Sequence, residues 1–458
     1  MLRTDRAMMM KRAAPALAAL SALLLLAGCM LGPDYKRPEL AVPSQFRAEP
    51  AQSEISPSAA DTAWWQQFGD PQLDALIDEA LANNLDVAGT RARASRQTVS
   101  PAPGINPYSA VQASLLASWE IDLFGRTRRL TEAATAELNA SEAARRGTVL
   151  SVVAAVTAGY VRLRDLDREV EVARNTLQLR KESLQLFERR FKGGVVSQVE
   201  LSQVRSEYAT ALRALPQLEQ SAAQQENALS VLVGRNPGPI ARGRSINDLA
   251  MPPVPAGLPS ELIERRPDLL AAEQLLVAAN ARIGAAKAAY FPSISLTGAF
   301  GAASRSLSDL SSGAARVWSY GADISMPIFT AGAIAGQVTS AEAAQRESLA
   351  RYRKAVQSGF QETEDALVGV SKSREALDAA KLQVESLTTY ARLARRKYEG
   401  GYTSYLEVLD AERSLFNAQL DLAQSQANVL LQATALYKSL GGGWVDLADQ
   451  KAPKPEKG

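Results

Sequence analysis

The thiol of Cys29 is the side chain whose chemistry follows most directly from this sequence, because it is the only cysteine among 458 residues. Basic residues precede the uncharged segment 13–26, and small residues then lead to the cysteine in the string Leu26-Ala27-Gly28-Cys29. A positive region, a short apolar region and a small-residue boundary are the anatomy of an export signal. We therefore predict that residues 1–28 are a signal peptide and that the mature chain begins at Cys29.

The same string resembles the lipobox of bacterial lipoproteins, in which the thiol is acylated and the cysteine becomes the new N-terminus. Met30 rather than aspartate follows the cysteine, and by the same resemblance this favours sorting to the outer membrane. The interpretation predicts a palmitate-type anchor that joins Cys29 to outer-membrane lipid, with most of the protein's mass in the periplasm. An ordinary buried cysteine behind a simple secretory signal is the alternative.

Composition excludes several classes of function. The sequence has no histidine and no second cysteine, which excludes disulfides within the chain, zinc sites built on imidazole or thiolate groups, and Ser-His-Asp or Cys-His nucleophile systems. Residues 1–28 carry four positive charges and one negative charge, so the formal charge of +2 for the whole chain becomes −1 for the mature part. No basic excess remains for binding nucleic acid. We expect neither an enzyme nor a cofactor or metal site.

Two proline-free windows, 108–215 and 328–452, are rich in strong helix formers. In the first window, positions spaced three and four apart form a seam that is apolar except at Gly159 and Arg180, which is typical of a coiled coil. We predict helices over 127–192 and 332–399, each roughly 100 Å long at 1.5 Å per residue. The seams are Val149, Val152, Val156, Gly159, Leu163, Leu166, Val170, Ala173, Leu177, Arg180, Leu184, Phe187 and Phe191 in the first window, and Val384, Leu387, Ala391, Ala394 and Tyr398 in the second.

The two predicted helices end at matching sequences, 189–200 and 396–407, which are 207 residues apart. Each contains a Gly-Gly pair, an expected helix terminator, and then a serine N-cap with a glutamate three residues later, the capping-box arrangement. The pattern predicts an internal duplication of an antiparallel helical hairpin. Pro216 is expected to split the returning helix of the first hairpin. The hairpins are 127–235 and 332–440, their tips are 193–197 and 400–404, and the caps are Ser197 with Glu200 and Ser404 with Glu407.

Outside the helical windows, apolar residues alternate with small or polar ones, which predicts strands near 98–124, 291–301 and 317–328. Strands of about ten residues with one apolar face suit the wall of a transmembrane β-barrel. No stretch of the mature chain reaches the roughly 18 apolar residues of a membrane helix. The half-buried sheet of a soluble domain shows the same alternation and is the alternative.

An ordered set of motifs resembles the outer-membrane factor (TolC/OprM-like) family and, within it, the NodT-type efflux outer-membrane lipoproteins. The motifs run in the family's order over nearly the whole chain. They are Gly32-Pro33-Asp34-Tyr35-Lys36-Arg37-Pro38, Trp64-Trp65-Gln66-Gln67-Phe68, Asp70-Pro71, Trp119-Glu120-Ile121-Asp122-Leu123-Phe124-Gly125-Arg126, Glu264-Arg265-Arg266-Pro267-Asp268-Leu269, Ala286-Lys287-Ala288-Ala289-Tyr290-Phe291-Pro292-Ser293, and Tyr437-Lys438-Ser439-Leu440-Gly441-Gly442-Gly443-Trp444.

The resemblance implies a fold that is mainly α with a transmembrane β part. In a homotrimer, long antiparallel coiled-coil hairpins would form an α-barrel, and four strands from each subunit would form a shared β-barrel. The first repeat would be 29–236 and the second 237–458, with belt segments near 40–75, 237–262 and 441–458. The implied function is the exit duct of a tripartite (RND-type) efflux system, which conducts drugs or other small molecules passively. Its partners would be a periplasmic adaptor protein and an inner-membrane efflux pump.

The first strand departs from this pattern. Thirty positions lead from Ala94 to Phe124, whereas 44 lead from the corresponding Ala285 to Phe329. We therefore expect the first transmembrane strand to be shortened or missing, so that either residues 98–108 pair irregularly or the channel is defective.

A candidate gate lies just beyond the second tip, where Leu406, Asp410 and Arg413 share one helix face because they are spaced four and three apart. The resemblance implies a periplasmic constriction made by a leucine, an aspartate and an arginine at these positions, and three-fold symmetry would turn each into a ring. A solvated Asp–Arg pair is the alternative. The first repeat has Val199, Gln203 and Ser206 instead. The resemblance also assigns contact with the adaptor to the tips, at Gly193, Gly194, Val195, Ser197, Gly400, Gly401, Tyr402 and Ser404.

Two other functions fit the same elements. One is the outer-membrane conduit of a type I protein-secretion system, and the other is a non-conducting periplasmic coiled-coil lipoprotein, which the shortened first strand favours. The lipobox and the motif at 32–38 favour small-molecule efflux by resemblance. The sequence does not identify the cargo, because a duct opened by its partners selects substrates poorly.

Overall fold

The computed structural model describes residues 30–40, 42–43, 45–46, 63–94, 111–253, 259–304 and 306–441. Cys29, the predicted signal peptide, the question of the first strand at 98–108 and Trp444 lie outside the described residues. The chain divides into two compact units: the first takes its residues from 1–40, 95–141 and 271–354, and the second from 41–94, 142–270 and 355–458. Each unit therefore draws on both predicted sequence repeats.

Long paired helices dominate the described part of the chain. Its helices are α1 Pro71–Asn83, α2 Leu85–Ala94, α3 Arg126–Lys192, α4 Gln198–Leu232, α5 Pro259–Arg265, α6 Pro267–Ala288, α7 Ala333–Glu399 and α8 Tyr405–Ser439. The helix before each tip has 67 residues and the helix after it has 35. These equal lengths are what an internal duplication predicts. None of the helices described is long and apolar enough to cross a membrane.

The predicted seam of α3 is buried or half-buried along its length, except at Phe191 in the last turn, which is exposed. The prediction that Pro216 splits the returning helix is wrong, because α4 continues through it. Proline removes one backbone hydrogen bond, but the flanking Leu215 and Leu218 pack against a buried cluster that includes Phe416. Tertiary packing on both sides of the proline therefore holds the helix together.

The main core lies in the second unit, where apolar residues of α3 pack against a short 3₁₀ helix, Trp64–Phe68. Trp64 is fully buried and stacks on Tyr437 at 5.2 Å between ring centres. Asp70, buried at the N-terminus of α1, accepts a hydrogen bond from the Tyr160 hydroxyl at 2.8 Å. Burial and this hydrogen bond raise the pKa of Tyr160. The paired tryptophans Trp64 and Trp65 therefore belong to the core of the second unit.

In the first unit, buried Arg129 of α3 holds the segment that follows Cys29. Its guanidinium donates to the carbonyl oxygen of Leu31 at 3.0 Å and to the carboxylate of Asp34 at 2.8 Å. Arg37 pairs with Glu273 of α6 at 2.7 Å. The motif at 32–38 is thereby fixed against two helices.

The first unit also contains an antiparallel sheet in the order β1-β2-β3, formed by Val111–Ile121, Ser293–Ser304 and Arg316–Ser325. Its register aligns the predicted alternation across all three strands. One face carries rows such as Leu115–Phe300–Trp318 and Trp119–Leu296–Ala322, and the opposite face carries Ser118–Thr297–Gly321 and Glu120–Ser295–Asp323.

Candidate functional site

The two tips have the same backbone geometry. At the first tip, Gly194 takes a φ of 73°. Its N–H donates to the carbonyl oxygen of Phe191 at 2.9 Å, and the N–H of Val195 donates to the carbonyl oxygen of Arg190 at 2.9 Å. At the second tip, Gly401 takes a φ of 76° and the equivalent bonds are 3.0 Å and 2.9 Å. This is the Schellman motif, in which the left-handed position is usually glycine. The Gly-Gly pairs therefore end both helices as predicted.

The predicted capping boxes differ between the tips. At the first tip both halves form: the Glu200 N–H donates to Ser197 Oγ at 3.2 Å, and the Ser197 N–H donates to the Glu200 carboxylate at 2.8 Å. At the second tip the prediction is wrong, since Ser404 is the N-cap but its side chain makes no capping hydrogen bond. The Glu407 carboxylate instead accepts from the Thr403 hydroxyl.

Each tip presents an apolar side chain at the same relative position. Val195 is 73% exposed and Tyr402, at the matching place in the second tip, is 86% exposed. A Cβ added to Gly194 or Gly401 would meet nothing within 4 Å. The tips therefore offer open backbone and exposed apolar surface, which is what a docking partner can contact.

Behind the tips, an aromatic cluster joins the two hairpins within the second unit. The ring centres of Phe187 and Tyr405 lie 4.2 Å apart, and those of Tyr405 and Tyr398 lie 4.9 Å apart. The Arg190 guanidinium donates to the Tyr398 hydroxyl at 3.0 Å. The sequence places these aromatic residues near the tips, but their meeting depends on how the hairpins pack.

The predicted gate residues line one groove of about 600 Å³ in the second unit. Arg413 donates to Asp410 at 2.7 Å, and about half of each of these side chains is exposed. Leu406 is 58% exposed beside them. The other lining residues are Gln203, Ser206, Glu207, Tyr390, Thr403, Ser404, Glu407 and Leu409.

Gln203 and Ser206, the first-repeat counterparts of Asp410 and Arg413, therefore face the same groove. The third counterpart, Val199, is 65% exposed and is not among the lining residues. Sequence analysis missed Glu207, which adds a carboxylate from α4. The polar exception at Arg180 in the α3 seam was the available signal, because Arg180 pairs with Glu207 at 3.1 Å.

The two hairpins carry equivalent ion pairs with exchanged charges. In the first, Glu188 of α3 pairs with Arg205 of α4 at 3.3 Å. In the second, Arg395 of α7 pairs with Glu412 of α8. Both positions match at the offset of 207 residues. The hairpins therefore share one scaffold but differ in the sign of the charge that each helix presents there.

The sheet exposes a large apolar surface in a single chain. Leu115, Trp318 and Tyr320 are 78%, 68% and 82% exposed, and the last two stack at 5.6 Å between ring centres. Strands β1 and β3 form its edges in the described part of the chain. Open edges and exposed apolar patches mark surfaces that a partner or a membrane covers.

The described residues contain no group of three or more acidic, histidine or cysteine side chains placed to hold a metal. The groove and the tips contain one paired cation, several carboxylates and apolar side chains. Such surfaces can bind partners and set the charge along a path for solutes.

Comparison with known proteins agrees with these features. The family model described as outer membrane efflux protein matches residues 84–235 and 258–442. The chain is 36% identical to the probable efflux pump outer membrane protein TtgC of Pseudomonas putida, over 93% of this chain and 95% of TtgC. It is 33% identical to the probable outer membrane lipoprotein SilC of Salmonella typhimurium, over 94% of this chain and 99% of SilC.

A solved structure of the outer-membrane channel OprN superposes with a TM-score of 0.80 at 29% identity, over 91% of this chain and 100% of OprN. The predicted fold class, mainly α with paired long helical hairpins and a smaller β part, is confirmed by this match. The ordered motifs and the family model cover the same two repeats of the sequence. The chain therefore belongs to the outer membrane efflux protein family.

Proposed function

We propose that three copies of this chain form the outer-membrane exit duct of a tripartite efflux system, which passively conducts drugs or other small molecules. A periplasmic adaptor and an inner-membrane pump would deliver the cargo. The relatives whose names describe efflux pump outer membrane proteins support this assignment.

The observation that carries the proposal is the two-faced sheet. Its apolar face is exposed in one chain, and β1 and β3 are its edges in the described part of the chain. Pairing of these edges with the sheets of neighbouring copies would satisfy the backbone groups that lipid cannot. The apolar rows would then face lipid, and the rows with Ser118 and Glu120 would face a water-filled bore.

Purified protein in planar bilayers tests the proposal. We expect light scattering in detergent to give about three times the mass of one chain, and we expect stepwise ion currents after reconstitution. A folded monomer without current would support the periplasmic scaffold instead. A trimer that conducts but co-purifies with a protein-secretion ATPase, and not with an efflux pump, would support the type I secretion conduit.

The groove around Leu406, Asp410 and Arg413 is the proposed periplasmic gate. Its support is geometric, because residues of both hairpins line one groove and the Asp410–Arg413 pair lies half-exposed within it. In a trimer, each of these side chains would form a ring around the axis. The rings would set both the width and the charge of the entrance.

The tips are the proposed contacts with the adaptor. Val195 and Tyr402 are the most useful positions, since both side chains project into solvent at equivalent places. Cysteines placed at Val195 and at Tyr402 should crosslink to the adaptor in cells. Ser371→Cys is the control, because Ser371 is an exposed residue of α7 that lies well before the second tip. It should not crosslink to the adaptor. Equal crosslinking at all three positions would contradict docking at the tips.

Acylation of Cys29 is the proposed attachment to the outer membrane. It is supported by the contacts of the segment that follows Cys29. The N–H of Leu31 lies 3.4 Å from the carbonyl oxygen of Phe124, and Arg129 donates hydrogen bonds to Leu31 and Asp34. We expect mass spectrometry of the N-terminal peptide to show added acyl chains, and Cys29→Ser to abolish them. An unmodified thiol in protein from the outer membrane would contradict the proposal.

A further inference from the structure

Arg180 is a charged exception in the apolar seam of α3, and the predicted gate residues do not account for it. It occupies a seam position of α3 where the pattern calls for an apolar side chain, and the equivalent position in the second repeat is Leu387. Arg180 is nevertheless only 5% exposed. The first hairpin therefore buries a cation where the second uses leucine.

The contacts of the Arg180 guanidinium join three helices. It donates to the backbone carbonyl of Glu207 in α4 at 2.8 Å, and it lies 3.1 Å from the carboxylate of the same residue. Its central carbon lies 5.3 Å from the centre of the Phe416 ring in α8, within the range of a cation–π contact. Burial lowers the pKa of Arg180, and the carboxylates of Glu207 and Glu412 oppose the shift.

A buried ion pair adds little net free energy to the stability of a helix bundle. Desolvation of the two charges offsets their attraction, and well-packed apolar side chains of similar volume are often as stable or more so. Leu387 shows that the second hairpin packs with an apolar residue at this place. The charge at Arg180 therefore suggests a role in fixing one arrangement of helices, which is the best-attested use of such pairs.

The two partners of Arg180 connect it to the groove. Glu207 lines the groove together with Asp410 and Arg413, whereas Arg180 is not among the lining side chains. Phe416 follows Arg413 by three residues on α8, so the two side chains are neighbours on the helix surface, although Phe416 itself is buried. Through its contacts with Glu207 and Phe416, Arg180 therefore connects α4 and α8, the two helices that carry the walls of the groove.

We infer that Arg180 is a positioning residue of the gate, which clamps α8 against the first hairpin and keeps the groove closed until this contact breaks. The inference rests on the proposed function, since it assigns a closing role to a groove that we take to be the gate. Opening would separate the guanidinium from Phe416 or from Glu207. The asymmetry between Arg180 and Leu387 would confine this clamp to one of the two hairpins.

The test compares Arg180→Leu with Arg174→Leu. Arg174 also joins α3 to α4, through a 2.7 Å pair with Glu219, but both side chains of this pair are exposed. We expect Arg180→Leu to raise the open probability of single channels about tenfold, which corresponds to roughly 1.4 kcal/mol, and to lower the melting temperature, because the Glu207 carboxylate loses its partner. Arg174→Leu should leave the open probability as in the unmodified protein. Arg180→Met, which keeps an unbranched stem, serves if the leucine variant misfolds.

A distance measurement makes the inference independent of conduction. Spin labels on Thr210 of α4 and Asn417 of α8, both exposed, report the separation of the groove walls. We expect a broader and longer distance distribution in Arg180→Leu and no change in Arg174→Leu. If the unmodified protein carries no current, the proposed duct fails and the distance distribution alone decides the role of Arg180. An unchanged distribution, or an open probability equal in both variants, would overturn the inference.

Discussion

Replacing Tyr320 with arginine tests the orientation of the sheet. Tyr320 lies near the middle of β3 in the apolar row Ala117–Gly298–Tyr320, and its side chain is 82% exposed in one chain. Ser319 is the next residue and lies on the opposite face, in the row Leu116–Ala299–Ser319. Tyr320→Arg and Ser319→Arg therefore add the same cation one residue apart, to the two faces of the same strand.

The expected penalty follows from where each arginine would lie. An arginine that faces lipid near the bilayer midplane costs about 2–4 kcal/mol, so three copies would lose about 6–12 kcal/mol per trimer. Loss of the stacking between Trp318 and Tyr320 adds about 0.5–1.5 kcal/mol in each copy. An arginine at Ser319 would face water, so it would carry neither the penalty of facing lipid nor the loss of stacking. The total for Tyr320→Arg is comparable with the whole stability of a typical domain, about 5–15 kcal/mol.

The assay is assembly in the outer membrane. We expect Tyr320→Arg to lose most of the trimer that survives mild heating on gels, whereas Ser319→Arg should assemble normally and conduct with altered preference between anions and cations. Amounts of each protein before membrane insertion serve as the control for expression. Equal assembly of the two variants, or a greater loss with Ser319→Arg, would refute the assignment of the two faces.

Other predictions concern the gate, a buried carboxyl and a tip. Replacing Asp410 and Arg413 by alanine should raise single-channel conductance, because the ring of paired side chains is removed; unchanged conductance counts against the gate. Burial and the neighbouring Glu169 raise the pKa of Asp165 to about 7. Stability from this group is therefore complete below its unfolded pKa of about 4 and is lost as pH rises through 7. Asp165→Asn should flatten that part of the profile in chemical denaturation, and an unaltered profile would contradict the assignment. Because Gly401 is left-handed, Gly401→Ala should lower the free energy of unfolding by about 1–2 kcal/mol, whereas asparagine, which tolerates this conformation, should cost less; equal losses would refute the strain.

Much of the fold could be predicted because it depends on local pattern. The seam of α3 and the Gly-Gly pairs gave helices within a residue of the structure, which has Arg126–Lys192 and Ala333–Glu399. Alternating apolar residues predicted β1 and the face on which Trp119 lies, whereas the pairing of Trp119 with Leu296 is known only from the structure. These features need only propensity, period and turn chemistry.

The errors arose where tertiary contacts override local rules. Pro216 does not break α4, because its neighbours pack on a buried cluster. Ser404 does not form the predicted capping box, because Glu407 binds Thr403 instead. Spacing placed Leu406, Asp410 and Arg413 on one helix face and the family resemblance predicted their role as a gate, but Glu207 joins them only through the packing of separate hairpins. The polar exception at Arg180 marks a break in the apolar seam, but it does not identify Glu207 as the partner.

The central claim is that the polar face of the sheet lines water while the apolar face meets lipid, and cysteine labelling along β3 tests it most directly. Acylation of Cys29, the only natural cysteine, would leave no other thiol to react. In protein assembled in the outer membrane, a water-soluble maleimide should label cysteines placed at Ser319, Gly321 and Asp323 but not those at Trp318, Tyr320 and Ala322. Labelling at all six positions, or the reverse pattern, would contradict the account.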